Sequence, residues 1–411
     1  MSASMPKHAP MRAFEVVDDC LVVGGIPLTR LVAQVGRTPF YAYDRGAIDA
    51  RVAELRQALP REISLHYAMK ANPMPALVCH MVQRVDGIDV ASGLELRVAL
   101  DAGANPREVS FAGPGKSQSE LEQSVAAGIL VNVESIREVE LLDALSQSLG
   151  LPARVAIRVN PDFELKTSGM KMGGGPKQFG IDAEEVPNVL DRVGELGLGF
   201  EGFHIYAGSQ NLKADSICDA QSKSYELALR LAQRAPAPVR TLNLGGGFGI
   251  PYFPGETPLD LAPIGANLRA IVDRARQSLP GARIVVELGR YLVGEAGIYV
   301  CRVVDRKISR GHVMLVTDGG LHHHLAASGN FGQVIRKNYP VVIGNKVAGA
   351  TRETASVVGP LCTPLDLLAD RMDLAEAQPG DLVVVFQSGA YGATASPRGF
   401  LSHPDVREAL V

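Results

Sequence analysis

Eight short apolar runs, each followed by a stretch with helical spacing, set the limits on what this chain can fold into. The runs are 64–69, 87–91, 109–112, 129–133, 155–159, 200–206, 241–244 and 284–288. Helical patterns over 75–85, 94–101, 119–127, 136–149, 184–196, 216–235 and 262–279 lie between them. The repetition predicts an α/β fold, a closed (β/α)8 barrel of the TIM type. A doubly wound open sheet is the alternative. It would collect unusual residues at one switch point, whereas here they follow nearly every strand.

Outside that repeat the pattern changes. Runs at 14–17, 20–23 and 40–43 read as strands, 27–35 as a short helix, and 45–59 as an amphipathic helix stopped by Pro60. After Gly289 come runs at 299–304, 313–316, 341–344, 355–358 and 382–386 with little helix between them. They predict a mostly β C-terminal domain, a sandwich or barrel, which the N-terminal strands join. The expected division is a disordered tail over 1–12, N-terminal strands over 13–44, the barrel over 45–295 and the β-domain over 296–411.

Composition excludes several roles. A formal net charge of −3 gives no pull toward nucleic acid or an anionic membrane. No apolar run is long enough to span a bilayer, and residues 1–12 lack the apolar core of a signal peptide. The five cysteines are scattered and form no C-x-x-C, which suits a reducing cytoplasm and neither a disulfide framework nor a structural zinc.

In a barrel the reactive groups gather at the C-terminal strand ends. The first run, Leu65-His66-Tyr67-Ala68-Met69-Lys70, ends on a lysine, and Asn72-Pro73 then breaks the strand and starts a helix. Lys70 is either a snorkelling surface cation or a Schiff-base lysine at the barrel mouth. Later ends carry Asp89 and Ser92, then Arg158, Asn160 and Pro161, then His204 to Gln210. Gly245-Gly246-Gly247 and Glu287-Leu288-Gly289-Arg290 follow. The triple glycine either offers backbone N–H groups to a phosphate or makes a tight turn; no Gly-Lys-Ser/Thr follows, so it is not a Walker loop. Glu287 either pairs with Arg290 or sits by a pyridine nitrogen, where it favours the protonated ring.

Tyr67-Ala68-Met69-Lys70-Ala71-Asn72 resembles the cofactor-lysine motif of the barrel-type (fold type III) pyridoxal-phosphate decarboxylases, the diaminopimelate, ornithine and arginine decarboxylase superfamily. Asp89-Val90-Ala91-Ser92 with Glu95, Gly208-Ser209-Gln210, the glycine run, Glu287 to Arg290, Gly359-Pro360-Leu361-Cys362 and Gly389-Ala390-Tyr391-Gly392 fit in order. The resemblance implies pyridoxal 5'-phosphate as cofactor, with Lys70, Glu287 and Cys362 as catalytic residues. It implies a cofactor site of Lys70, Asp89, Arg158, His204, Tyr206, Ser209, Gly245, Gly246, Gly247, Glu287, Gly289, Arg290 and Tyr391. Substrate contacts would come from Arg290, His324, Arg336, Cys362, Thr363 and Tyr391. It also implies a homodimer with shared active sites, Cys362 coming from the second subunit.

Three departures bear on the substrate. The family's ring-stacking histidine, three residues before the serine of Gly-Ser, is here Tyr206. The glutamate that follows the cysteine in diaminopimelate decarboxylases is here Thr363, which cannot answer a distal ammonium. After Asp318-Gly319-Gly320 the family's substrate-binding arginine is missing at its spacing, and Arg336 is the nearby replacement. There stand His322-His323-His324, which invite a metal reading; adjacent residues point different ways, so a polar substrate loop is expected and no metal. A glycine-rich segment over 165–180, with Lys166, Lys171 and Lys177, reads as a mobile active-site loop or a disordered linker. Together these features resemble the exosortase A system-associated subgroup of exopolysaccharide clusters. They also resemble decarboxylases of a glutamyl group on an acyl-carrier protein.

The expected function is therefore α-decarboxylation of an amino acid or carrier-bound aminoacyl group, with specificity shifted from diaminopimelate. Diaminopimelate decarboxylase proper, a carrier-bound glutamyl decarboxylase and a racemase on the same fold are the alternatives. A non-catalytic cofactor carrier is the rival outside enzymology. No nucleic acid or membrane partner is expected.

Overall fold

The computed structural model describes residues 6–163, 170–171 and 173–411. The chain divides into two units, each continuous in space and broken in sequence. One comprises Val52–Gly249 and Leu259–Gly289; the other comprises residues up to Arg51, Ile250–Pro258 and Arg290–Val411.

The first unit holds a closed barrel of eight parallel strands among the described residues. They are β1 Ser64–Ala68, β2 Gly87–Val90, β3 Val109–Phe111, β4 Leu130–Val133, β5 Arg154–Asn160, β6 Gly199–Ile205, β7 Thr241–Asn243 and β8 Arg283–Leu288. Neighbours in sequence are neighbours in the barrel, and β8 returns to β1 with Glu287 opposite His66. Helices α1 Pro75–Val82, α2 Gly93–Asp101, α3 Gln118–Ala127, α4 Ile136–Leu149, α5 Val186–Glu195, α6 Ala214–Ala232 and α7 Ala262–Ser278 alternate with them. The strands are buried along almost their whole length, as expected of parallel strands covered on both faces, and so they read as apolar runs. Ser92, Ser117 and Ser135 cap α2, α3 and α4 by accepting the N–H three residues on, which fixes where each strand-end loop turns into helix.

The second unit is mostly β. Its large sheet runs Val341–Ile343, Leu382–Val385, Gly297–Ser309, His312–Thr317, Arg352–Val358, Leu367–Ala375, and Phe40–Tyr43 pairs with both Gly297–Ser309 and Arg407–Leu410. Of the N-terminal strands, only Phe40–Tyr43 enters this sheet; Glu15–Val17, Cys20–Val23 and Ile26–Pro27 form a small sheet of their own. That small sheet is tied on by Leu21 N–H to Gly344 O at 2.8 Å, and Leu21 and Val23 join Phe40, Ile298, Val300, Leu382 and Val384 in one core. Over 6–12, Lys7 O accepts Gly255 N–H, His8 Nε2 lies 2.9 Å from Asn338 O, and Met11 packs on that core.

Candidate active site

The sequence places Lys70 at the end of a strand; the structure corrects this. Strand β1 stops at Ala68, and Lys70 is the middle residue of a 3-10 turn, Met69–Ala71. The turn is held by Asn72 N–H to Met69 O at 2.9 Å and by Tyr67 OH donating to Asn72 O at 2.8 Å. Helix α1 starts at Pro75, where the helical pattern predicted it, and ends at Val82, three residues short of the predicted 85. Gly289, past β8, lies against this turn, where a Cβ would come within 2.9 Å of Ala68 O and of Ala71 Cβ.

Lys70 Nζ stands 3.8 Å from Glu287 Oε1 and 5.6 Å from the centre of the Tyr206 ring. Glu287 is only 5% exposed. Its other oxygen, Oε2, lies 3.1 Å from His204 Nε2 and accepts from Asn243 Nδ2 at 3.4 Å. Burial by itself would push this carboxyl up. The contact with His204 and the positive charge of Lys70, His204 and Arg158 outweigh it and hold the group well below the usual carboxylate range. His204 is 2% exposed, and its Nδ1 has no hydrogen-bond partner among the described residues.

The glycine run is a close approach of backbone. Asn243 Oδ1 accepts Gly245 N–H at 2.8 Å, Gly245 O accepts Glu287 N–H at 2.9 Å, and Gly247 O accepts Asn211 N–H at 2.9 Å. A Cβ on Gly246 would strike Glu287 O, and one on Gly247, at φ +76°, would lie 2.5 Å from Gly208 O. Gly208–Ser209 is therefore brought beside Gly247 and pairs with Met170–Lys171. Lys166 lies outside the described residues.

Asp89 and Arg158 are also in the barrel mouth. Asp89 Oδ1 takes Ser110 Oγ and lies 3.2 Å from His66 Nδ1, while Oδ2 is buried with no hydrogen-bond partner among the described residues. Arg158 donates to Glu134 Oε1 at 2.8 Å and lies over Phe179 at 5.0 Å. Glu134 also accepts Gly113 and Gly180 N–H, and Lys116 Nζ lies 3.0 Å from Glu138. Arg158 was expected at the site, but its buried partners Lys116, Glu134 and Glu138 went unread in the sequence, as did His66, Ser110, Asn132 and Asn243. Glu95 accepts Ala91 N–H at 2.7 Å, and burial pushes its carboxyl up.

The second unit assembles a cluster of its own. Arg290 Nη1 donates to Tyr252 OH at 2.9 Å, and its guanidinium lies 4.6 Å over the Tyr391 ring. Tyr339 packs on Tyr252 at 4.7 Å and on His324 at 5.7 Å. Arg290, Tyr391 and His324 are thus brought together, with Tyr252 and Tyr339 unforeseen. Burial depresses His324 to about 3. Its Nδ1 accepts Ala327 N–H at 3.3 Å, so the proton is on Nε2, which faces Ser388 Oγ at 2.8 Å. His323 turns instead to Pro404 O and His322 to the His403 ring. Among the described residues no group of three or more His, Cys, Asp or Glu is placed to hold a metal ion.

Arg336 is not in the aromatic cluster. Its Nε, Nη1 and Nη2 go to Ser328 O, Asn338 Oδ1 and Leu367 O, so it ties its own loop to the strand Leu367–Ala375. Cys362 is exposed and unpaired, and Thr363 beside it is half-buried. Asp366, the acid of that turn, is consumed by Leu321 and Leu361 N–H.

A lysine amine beside a buried, ionised carboxylate, next to a backbone cradle that admits no Cβ, fits a group that carries an aldehyde, a ring nitrogen and a phosphate. Comparison with known proteins agrees. Residues 45–294 match the family model described as the pyridoxal-binding domain of pyridoxal-dependent decarboxylases. The chain is 40% identical to the L-glutamyl-[BtrI acyl-carrier protein] decarboxylase of Niallia circulans, over 91% of this chain and 88% of that one. It is 33% identical to the diaminopimelate decarboxylase of Aquifex aeolicus, over 97% and 92%. In fold it is similar to the diaminopimelate decarboxylase of M. jannaschii in complex with L-lysine, with a TM-score of 0.88 at 24% identity over 97% of this chain and 92% of that one. Among the described residues no helix is long and apolar enough to cross a membrane. The chain belongs to the pyridoxal-dependent decarboxylases, and it is a carboxy-lyase that uses pyridoxal phosphate.

Proposed function

We propose that this decarboxylase acts on an amino-acid unit whose distal end carries no free ammonium, such as a glutamyl group joined to a carrier protein. The observation that carries the reading of the site is Lys70 Nζ 3.8 Å from the buried carboxylate of Glu287. In this reading Lys70 would hold the cofactor, Glu287 would answer its ring nitrogen, the Gly245–Gly247 backbone and Ser209 would take its phosphate, and Tyr206 would offer an aromatic face to its ring. Bound there, the cofactor supplies the electron sink that receives the pair released when carbon dioxide leaves.

The protein's own groups do the rest. Glu287, kept ionised by His204 and Lys70, holds a negative charge, and hence a proton, at the ring nitrogen. Lys70 would anchor the cofactor and, when its amine is free, would be the group that moves a proton at the substrate's α-carbon. The exposed Cys362 thiol is the second proton donor, offered by a second copy of the chain in a homodimer.

The distal preference rests on Thr363. A threonine brings no charge to an ammonium, and Asp366 is turned inward to backbone N–H groups. A carrier-bound glutamyl group has no distal ammonium to bury. The relative from Niallia circulans acts on such a group, which supports the reading. Five unpaired cysteines suit a cytoplasmic setting.

The test is carbon dioxide release from a panel of free amino acids, including diaminopimelate, lysine and ornithine, and from carrier-bound glutamate. The carrier-bound group is expected to turn over best, and Lys70→Ala to lose both turnover and the cofactor's absorbance. Preference for diaminopimelate would return the chain to diaminopimelate decarboxylase proper, and turnover retained in Lys70→Ala would end the assignment.

A further inference from the structure

A second polar group lies buried among the barrel strands. His66, on β1, is 4% exposed, and its Nδ1 lies 3.2 Å from Asp89 Oδ1 on β2. A carboxylate oxygen only accepts, so the proton sits on Nδ1. Ser110 on β3 donates to the same oxygen, and Asn132 on β4 donates to Ser110 Oγ at 3.2 Å. One carboxylate oxygen is therefore held by two donors from two strands. Its twin, Oδ2, is buried and unpartnered among the described residues, at a strand position level with Ala68, two residues before Lys70.

The space for His66 is built in. A Cβ on its neighbour Gly87 would lie 2.5 Å from both Cε1 and Nε2 of the imidazole. No other residue type at 87 leaves the ring where it is. The Nε2 edge has no hydrogen-bond partner among the described residues, and His66 lines a small, mostly apolar cavity to which Ser110, Asn132, Thr241 and Asn243 contribute the polar groups. Asn243 in turn donates to Glu287. The charged groups about His66 are Asp89, its strand neighbour Glu287, and Arg107, Glu108 and Arg283 along the cavity wall.

We infer that His66 is a positioning residue for the reaction: it fixes the rotamer of Asp89 so that the unpartnered Oδ2 is presented to the cofactor end of Lys70. This rests on the reading of Lys70 as the cofactor anchor. Without the Nδ1 contact, Asp89 loses one of the two donors that aim it. The protonation of the lysine–cofactor linkage then loses its fixed counter-charge.

The test is the pH titration of the bound cofactor's absorbance in the holoenzyme, with thermal unfolding as a control for fold. Two variants are compared, His66→Phe and His66→Gln, with Asp89→Asn and the double variant His66→Phe/Asp89→Asn. The expected result is a downward shift of the titration midpoint by about one pH unit in His66→Phe, a larger shift in Asp89→Asn, and none beyond it in the double variant. His66→Gln, which keeps a donor, is expected to restore part of the shift. If His66→Phe fails to fold, His66→Leu, which also lacks a donor, takes its place against Asp89→Asn: a downward shift supports the inference and an unmoved midpoint overturns it. An unmoved midpoint in a folded His66→Phe, or additive shifts in the double variant, likewise overturns it. A wild-type protein with no cofactor absorbance would remove the underlying reading, and this inference with it.

Discussion

His204 Nε2 and Glu287 Oε2 lie 3.1 Å apart, both side chains almost fully buried, on strands β6 and β8. Strand β7 stands between them in the barrel and adds Asn243 to the same carboxylate. Three consecutive strands thus converge on one acid, and Lys70 approaches it from the 3-10 turn that follows β1.

That convergence predicts how Glu287→Gln will behave. The carboxyl sits well below its ordinary value, so it is ionised across the neutral range and contributes no limb to the activity profile there. Replacement by the amide is expected to lower kcat on the order of 10²-fold or more if, as proposed, this charge answers the ring nitrogen of the cofactor. The stability effect has a sign. A carboxylate with a depressed folded pKa stabilises above its unfolded pKa, and that contribution fades as pH falls through the folded value. The stability gap between wild type and Glu287→Gln, measured by urea unfolding, is therefore expected to be full at pH 7 and to shrink below about pH 4.

Gly247→Ala tests the cradle. Its Cβ would lie 2.5 Å from Gly208 O, at a φ of +76° that L-residues rarely adopt. The 208–211 segment must shift to accept it, and Ser209 with it. Cofactor affinity, read by fluorescence titration of the apoprotein, is expected to weaken by roughly tenfold or more, which corresponds to about 1.4 kcal/mol. Unchanged affinity would mean that this loop does not hold the phosphate.

The barrel was legible because parallel strands buried on both faces leave continuous apolar runs; helix 136–149 even appears at its predicted bounds, Ile136–Leu149. The strand Leu367–Ala375 was not legible. Asp370, Arg371 and Asp373 interrupt its apolar pattern, and Arg371 takes φ +48° where the pairing shifts register. In the site, Lys70, Glu287 and the glycines stood out by type and position. His66, Asn132 and Asn243 did not, because a polar residue inside a strand acquires meaning only when barrel closure shows which partner it meets. Arg290 was foreseen, but its partners Tyr252 and Tyr339 come from segments far apart in sequence.

His324 gives an acid-stability prediction. Burial depresses it from 6.5 to about 3, so between these values the unfolded chain binds a proton that the folded protein refuses. Stability supplied by the neutral ring is complete above about pH 6.5 and is lost as pH falls toward 3. His324→Gln cannot titrate. Its stability is expected to be below wild type at pH 7, where the Ser388 contact is altered, and to approach or exceed wild type at pH 4. Chemical denaturation at the two pH values reads this directly, and a constant gap would contradict the burial of a neutral imidazole.

Thr363 offers the sharpest test of specificity. The side chain is half-buried beside the exposed Cys362, so a longer acid placed there keeps access to solvent and carries little desolvation cost in the fold. Asp366, three residues on, already satisfies the Leu321 and Leu361 N–H groups and is not free to bind a distal amine. Thr363→Glu adds the missing charge without disturbing that arrangement. It is expected to raise kcat/KM for diaminopimelate by roughly tenfold or more, chiefly through KM, since one charge-assisted hydrogen bond is worth about 1.5–3 kcal/mol. Turnover of a carrier-bound glutamyl group is expected to fall in the same variant. Carbon dioxide release from both substrates, measured side by side, checks the pair of effects, and a variant that moves neither would show that the distal end of the substrate is read elsewhere.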